Sequence, residues 1–153
     1  MNKEQEKEFD KKYMKLKDQV VSLELSKKIK ELGFKHESSF YWADNEDGQW
    51  VLCFNFDGEN DPIVTVDREL DGDEDGDFYH AYTVAELGEM LPNFIEKKES
   101  THLFRNLKIY KQKHEILKEM FWFVRYGCIY RNAKTEVNAR AKMLIYLKEN
   151  NLI

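Results

Sequence analysis

Cysteine is scarce in this chain, which holds only Cys53 and Cys128. Neither belongs to a CxxC pair, so there is no disulfide framework and no thiol cluster for zinc. Both lie in apolar, strand-like stretches and read as two buried, reduced thiols of a reducing compartment. Neither has an evident activating base, so neither reads as a nucleophile. No stretch is long and apolar enough to span a bilayer. The opening residues, Met1 to Gln5, lack the apolar core of a signal peptide, and the expected location is cytoplasmic. Internal repeats and Pro-rich linkers are missing. So are the dinucleotide and phosphate-loop glycine motifs, the GxSxG elbow and HExxH. His36, His80, His102 and His114 are scattered, with no two at i, i+4. His80 has the most interesting setting, beside an acidic run, but a lone histidine without a partner reads as structural. With no catalytic constellation in view, the chain reads as a binding protein rather than an enzyme.

Aromatic residues and charge asymmetry are what the chain does have. Its 153 residues include ten Phe, eight Tyr and three Trp, enough large side chains for a compact core. The net charge of −5 hides an uneven distribution. Residues 44–77 carry thirteen acids against Arg68 alone, a local charge of −12. Residues 96–150 carry thirteen bases and six acids, or +7. The acidic stretch should repel nucleic acid and attract a basic partner. The basic half reads as solvated surface rather than a phosphate track, so nucleic acid is not the expected partner.

The segment around which the chain is organised runs from Ser22 to Phe34. Ser22 is an N-cap whose hydroxyl can accept a first-turn N–H. Glu24 suits the positive end of the helix dipole. Leu25, Ile29 and Leu32 form one stripe, and Gly33 supplies a left-handed stop. Tyr82 to Pro92 opens with the capping box Thr83-Val84-Ala85-Glu86, with Tyr82 and Leu87 at the staple positions and Pro92 as the stop. Within it, Gly88 marks a weak spot or a close approach. Thr135 caps a last helix whose apolar face is Val137, Ala141, Leu144, Ile145 and Leu147.

Between the helices lie strands. Ser39 to Ala43 and Gln49 to Phe56 read as a hairpin around Asn45-Glu46-Asp47-Gly48. Ile63 to Val66 and Phe78 to Ala81 read as short extended pieces. Leu103 to Tyr110 alternates, with Leu107 and Ile109 on one face and Lys108 and Tyr110 on the other. Lys111 to Lys118 reads as a charged loop or a single helical turn. A second strand from Met120 to Arg131 has Trp122, Val124, Tyr126, Cys128 and Tyr130 on one face. Phe121, Phe123, Arg125, Ile129 and Arg131 take the other, with Gly127 as a bulge. The expected fold is α+β: an antiparallel sheet of β-hairpins packed with about three helices, in the order α-β-β-α-β-β-α. Residues 1–16 read as a charged tail or short helix ahead of a single α+β domain over 17–153.

Three sites follow as expectations. Asp71-Gly72-Asp73-Glu74-Asp75-Gly76-Asp77 opens like a calcium loop, with oxygens at the first, third and fifth positions and glycine at the sixth. Tyr82 stands where an EF-hand has its closing Glu, and no entering helix precedes Asp71. What remains is a weaker oxygen-lined calcium site with Asp71, Asp73, Asp75 and Asp77 as ligands, the core of a metal-binding protein or small metal-dependent enzyme. No other cofactor is expected. The leading expectation is a protein–protein contact in which Asp67, Glu69, Asp71, Asp73, Glu74 and Asp75 meet a basic surface on an unknown partner. The third is a nucleic-acid module built on Arg125, Arg131, Arg140 and the aromatic strand Phe121-Trp122-Phe123, a stacking platform of the kind sheets present to RNA bases. Burial tendencies favour a different use for those rings: Trp122 in the core, and Phe121 or Phe123 beneath a helix.

Three blocks taken together resemble a group of small, uncharacterised bacteriophage- and prophage-encoded proteins. They are Lys17 to Ser38 followed by Phe40-Tyr41-Trp42, then Tyr82 to Pro92, then Asn138 to Ile153. The resemblance covers most of residues 17–153 and implies a mobile-element origin and a bacterial cytoplasm. It implies no catalytic residues. A phage protein directed against a host system, its acidic stretch imitating a phosphate backbone, fits the charge map.

Overall fold

The computed structural model describes residues 15–44, 48–54, 78–96 and 104–153, the side chains of Glu96, Phe104 and Arg105 excepted. The architecture is α+β. After a helical stretch at 15–17 come α1 (Leu23–Glu31), β1 (Phe40–Asp44), β2 (Trp50–Phe54) and β3 (Phe78–His80). Then follow α2 (Val84–Met90), β4 (Phe94–Glu96), β5 (Phe104–Lys113), β6 (Met120–Tyr126), β7 (Ile129–Ala133) and α3 (Glu136–Glu149). The strands divide between two antiparallel sheets, one of three strands in the order β2-β1-β3 and one of four in the order β4-β5-β6-β7. The short strand expected at Ile63 to Val66 lies outside the described residues.

Local signals build two of the helix starts as read. The Thr83 hydroxyl accepts the Glu86 N–H at 3.3 Å while the Glu86 carboxylate accepts the Thr83 N–H at 2.6 Å. The Thr135 hydroxyl accepts the Asn138 N–H at 3.3 Å. Ser22 departs from expectation. Its side chain makes no cap bond, and its backbone N–H instead donates to Asn138 Oδ1 at 3.0 Å. The start of α1 is therefore tied to the first turn of α3, a partner 116 residues away. Gly33 takes the left-handed stop at φ +78°. Gly88 is a close approach: a Cβ there would meet the Arg140 guanidinium at 3.1 Å.

The helix α3 sits at the centre of the main core. Its buried residues are Val137, Ala139, Ala141, Met143, Leu144, Ile145 and Leu147. They wrap most of the way around, because α3 packs on β6 and β7 on one side and on α1 and α2 on the other. Val124 and Tyr126 meet it from the sheet, Ile29 from α1 and Leu87 from α2. A smaller cluster of Val20, Trp42, Leu52 and Ala81 lies under the three-stranded sheet. Val20 bridges Thr83, Val21 N–H donates to the Tyr82 carbonyl, and Trp42 Nε1 donates to the Val21 carbonyl at 2.9 Å. One dipeptide thus stitches the two clusters together.

The second hairpin differs from expectation in which side chains share a face. Met120 to Arg131 is not one bulged strand. The chain reverses through Gly127-Cys128, with Tyr126 paired to Ile129. Gly127 has φ +59°, where a type II′ turn places its glycine. Cys128 is consequently an exposed turn residue rather than a buried strand residue. Cys53 is buried in β2 as expected, and burial pushes its thiol above the ordinary range.

Candidate binding face of the four-stranded sheet

Side chains alternate along a strand, so the register of the four-stranded sheet sorts them into two faces. Leu107, Ile109, Trp122, Val124, Tyr126, Ile129 and Ala133 face α3 and the main core. The opposite face carries Tyr110 on β5, Phe121, Phe123 and Arg125 on β6, and Tyr130 and Asn132 on β7. Trp122 therefore lies on the core side as burial tendencies suggest. Among the described elements no helix covers Phe121 and Phe123, which alternation along β6 turns away from α3.

Two adjacent cross-strand pairs define this open face. Tyr110 pairs with Phe123, and their rings stack 5.4 Å apart at 6°. Lys108 pairs with Arg125, and both are exposed. The two pairs stand about 7 Å apart along the strands. Phe123 also meets Tyr130 at 6.1 Å, so the aromatic row crosses three strands and ends in a ring that is 54% exposed. Beyond the row, Phe121 meets the His114 ring at 5.5 Å. None of the residues that β5, β6 and β7 pair across this face is acidic. Like charges directly opposite one another destabilise a sheet. The Lys108–Arg125 pair is therefore a local cost that an anion placed between the two would relieve.

The arginines expected to act together are separated. Arg125 is on the open face, where its Nε donates to the Gly127 carbonyl. Arg131 is on the other face of β7, its guanidinium 3.9 Å from the centre of the Tyr146 ring. Arg140 is committed to structure: it holds Glu136 at 2.6 Å and its side chain is only 16% exposed. Asp67, Glu69, Asp71, Asp73, Glu74, Asp75 and Asp77 lie outside the described residues, so the expected calcium loop and acidic contact surface do too. Among the described residues, no three His, Cys, Asp or Glu side chains are grouped to hold a metal. No helix among them is long and apolar enough to cross a membrane.

His80 is built into the three-stranded sheet. Its Nδ1 accepts the Ser38 N–H at 3.3 Å, and its ring lies between those of Phe78 and Tyr82. Burial lowers its pKa from the ordinary 6.5, assisted by Lys30 and opposed by Glu37 and Glu86. Above the ordinary value both folded and unfolded chains hold the ring neutral, and the native arrangement is fully stable. As the pH falls the unfolded chain takes the proton first, so stability drops through the interval down to the folded pKa. The melting temperature should fall as the pH drops below the ordinary value of 6.5, and His80→Asn, which keeps an acceptor near Nδ1, should flatten that fall. An identical slope in the variant would remove His80 as its source.

Tyr82 and Tyr126 are pushed up to about 12 by burial, and both hydroxyls donate to carbonyls, of His36 and Pro92 respectively. Both phenols keep their protons at neutral pH. Comparison with protein-family models, curated proteins and solved structures finds no match for this chain.

Proposed function

We propose that the open face of the four-stranded sheet binds single-stranded nucleic acid, with bases stacking on the Tyr110–Phe123–Tyr130 row and phosphates meeting Lys108 and Arg125. The observation that carries the reading is the placement of a stacked aromatic pair directly beside a like-charge cationic pair on one face of the sheet. Aromatic rings take up unstacked bases irrespective of sequence, and lysine and arginine take up the backbone. Net charge alone argues against such a ligand. Yet Glu119, Glu136 and Glu149 are each paired, with Lys134, Arg140 and Lys28. Titration of labelled single-stranded DNA and RNA oligonucleotides should show binding that weakens steeply with salt, and duplexes, whose bases are not free to stack, should bind less well. Absence of binding at low salt would remove the reading.

A second reading rests on the local charge of −12 over residues 44–77: a contact with a basic protein partner through Asp67, Glu69, Asp71, Asp73, Glu74 and Asp75. The resemblance to phage-borne proteins implies a bacterial cytoplasm, where that partner would be a host or phage protein. Replacing four of these acids by their amides should weaken capture of the partner and the salt dependence of that capture. Unchanged capture would leave the stretch a solvated loop.

A further inference from the structure

The outer edge of β7 meets α3 in a notch of about 570 Å³, lined by Ile129, Tyr130, Arg131, Asn132, Lys142 and Tyr146, with Cys128 at its rim. None of the described residues that line it is acidic. Arg131 and Lys142 have no carboxylate partner among the described residues, whereas Lys28, Lys134 and Arg140 each have one.

β7 is an edge strand, and its outward acceptors are already occupied. Arg131 Nη1 donates to the Tyr130 carbonyl at 2.6 Å and Lys142 Nζ to the Asn132 carbonyl at 3.2 Å. In an antiparallel strand the N–H and C=O of one residue point the same way, so the Tyr130 and Asn132 amide hydrogens also point off this edge. A peptide strand pairing here would have to displace both cations from the carbonyls. An anion would not. It meets two cationic side chains with donors to spare, since arginine carries five N–H groups and lysine three, and two outward amide hydrogens between them.

Tyr130 joins this notch to the open face. It ends the aromatic row, it pairs across β6 with Arg125, and it lines the notch. Lys108, Arg125 and Tyr130 thus follow one line across the sheet to the edge where Arg131 and Lys142 stand. We infer that a bound single strand leaves the aromatic face over the β7 edge and seats a backbone phosphate between Arg131 and Lys142. The inference rests on the reading of the open face as a single-strand platform.

The probe is a labelled thymidine oligonucleotide of about 12 nucleotides, within the span a small domain covers, titrated over a series of salt concentrations. Each phosphate contact on a single strand contributes about 0.7 to the slope of log affinity against log salt. Arg131→Gln and Lys142→Gln should each lower the slope by up to about that amount, with unchanged melting temperatures. Lys148→Gln, an exposed change on α3 outside the notch, should leave the slope as it is. Wild-type protein that binds no oligonucleotide overturns both the platform and the notch. Binding that is lost in Phe123→Ala but keeps its full slope in both notch variants overturns the notch alone. Competition by polyglutamate as effective as by unlabelled oligonucleotide makes the edge a site for acidic protein, and overturns the inference as well.

Discussion

Replacing Leu144 by Ala should destabilise the protein by about 3 kcal/mol, within the range that large-to-small changes in cores produce. Leu144 is fully buried in the main cluster, on the helix that packs against β6, β7, α1 and α2. The helix is held on one side by β6 and β7 and on the other by α1 and α2, so the surroundings have little freedom to collapse into the space left behind. For a chain of this size the loss corresponds to about 6–12 °C in melting temperature. Leu117→Ala, at an exposed position in the β5–β6 turn, is the matched control and should stay within about 0.5 kcal/mol of the parent. Thermal and chemical denaturation of the two variants side by side decide the point. A loss below about 1 kcal/mol for Leu144→Ala would mean that α3 is not the element around which the core is built.

That centrality was only partly legible in the sequence. The capping signals at Thr83 and Thr135 depend on neighbours three residues away, and they hold in the structure. Ser22 has the same local grammar, yet its cap is replaced by Asn138, a partner no local pattern can name. The stripe Leu25-Ile29-Leu32 marks α1 as amphipathic, which made it look like the organising helix. α3 reads as less strongly one-sided because it is buried on both sides: Ala139 and Met143, off the expected apolar face, are fully buried. A helix sandwiched between a sheet and two other helices loses the one-faced signature that pattern reading depends on.

The make-up of the open face was hidden by a single turn. If Met120 to Arg131 were one strand, Tyr130 would share a face with Val124 and Tyr126. Arg131 would then share one with Phe123 and Arg125. The two-residue turn at Gly127-Cys128 pairs Tyr126 with Ile129 and so exchanges the faces of everything after it. Tyr130 thereby joins Phe123 and Arg125, and Ile129 joins the core side. A glycine opening a two-residue link between two alternating runs was the available signal for that turn. The stacking of Tyr110 on Phe123 and the facing of Lys108 by Arg125 depend in turn on the β5–β6 register, which the separate alternation of each strand leaves open.

Phe123→Ala should cost about 1–3 kcal/mol of single-strand affinity for each base it stacks, or about fivefold to 150-fold. Phe123 holds the middle of the aromatic row, in contact with Tyr110 on one side and Tyr130 on the other, so its removal breaks the row rather than trimming its end. The slope of log affinity against log salt should not change, because no charge is lost. Arg125→Gln should do the reverse, reducing the slope with a smaller change in affinity at high salt. Val124→Ala supplies the contrast one residue along the same strand. Its side chain is fully buried on the core face, so it should lower the melting temperature and leave affinity near that of the parent. Three neighbouring positions therefore separate stacking, charge and folding in one titration series. If Phe123→Ala binds oligonucleotide as tightly as the parent, the aromatic row is packing for the sheet and the open face is not a stacking platform.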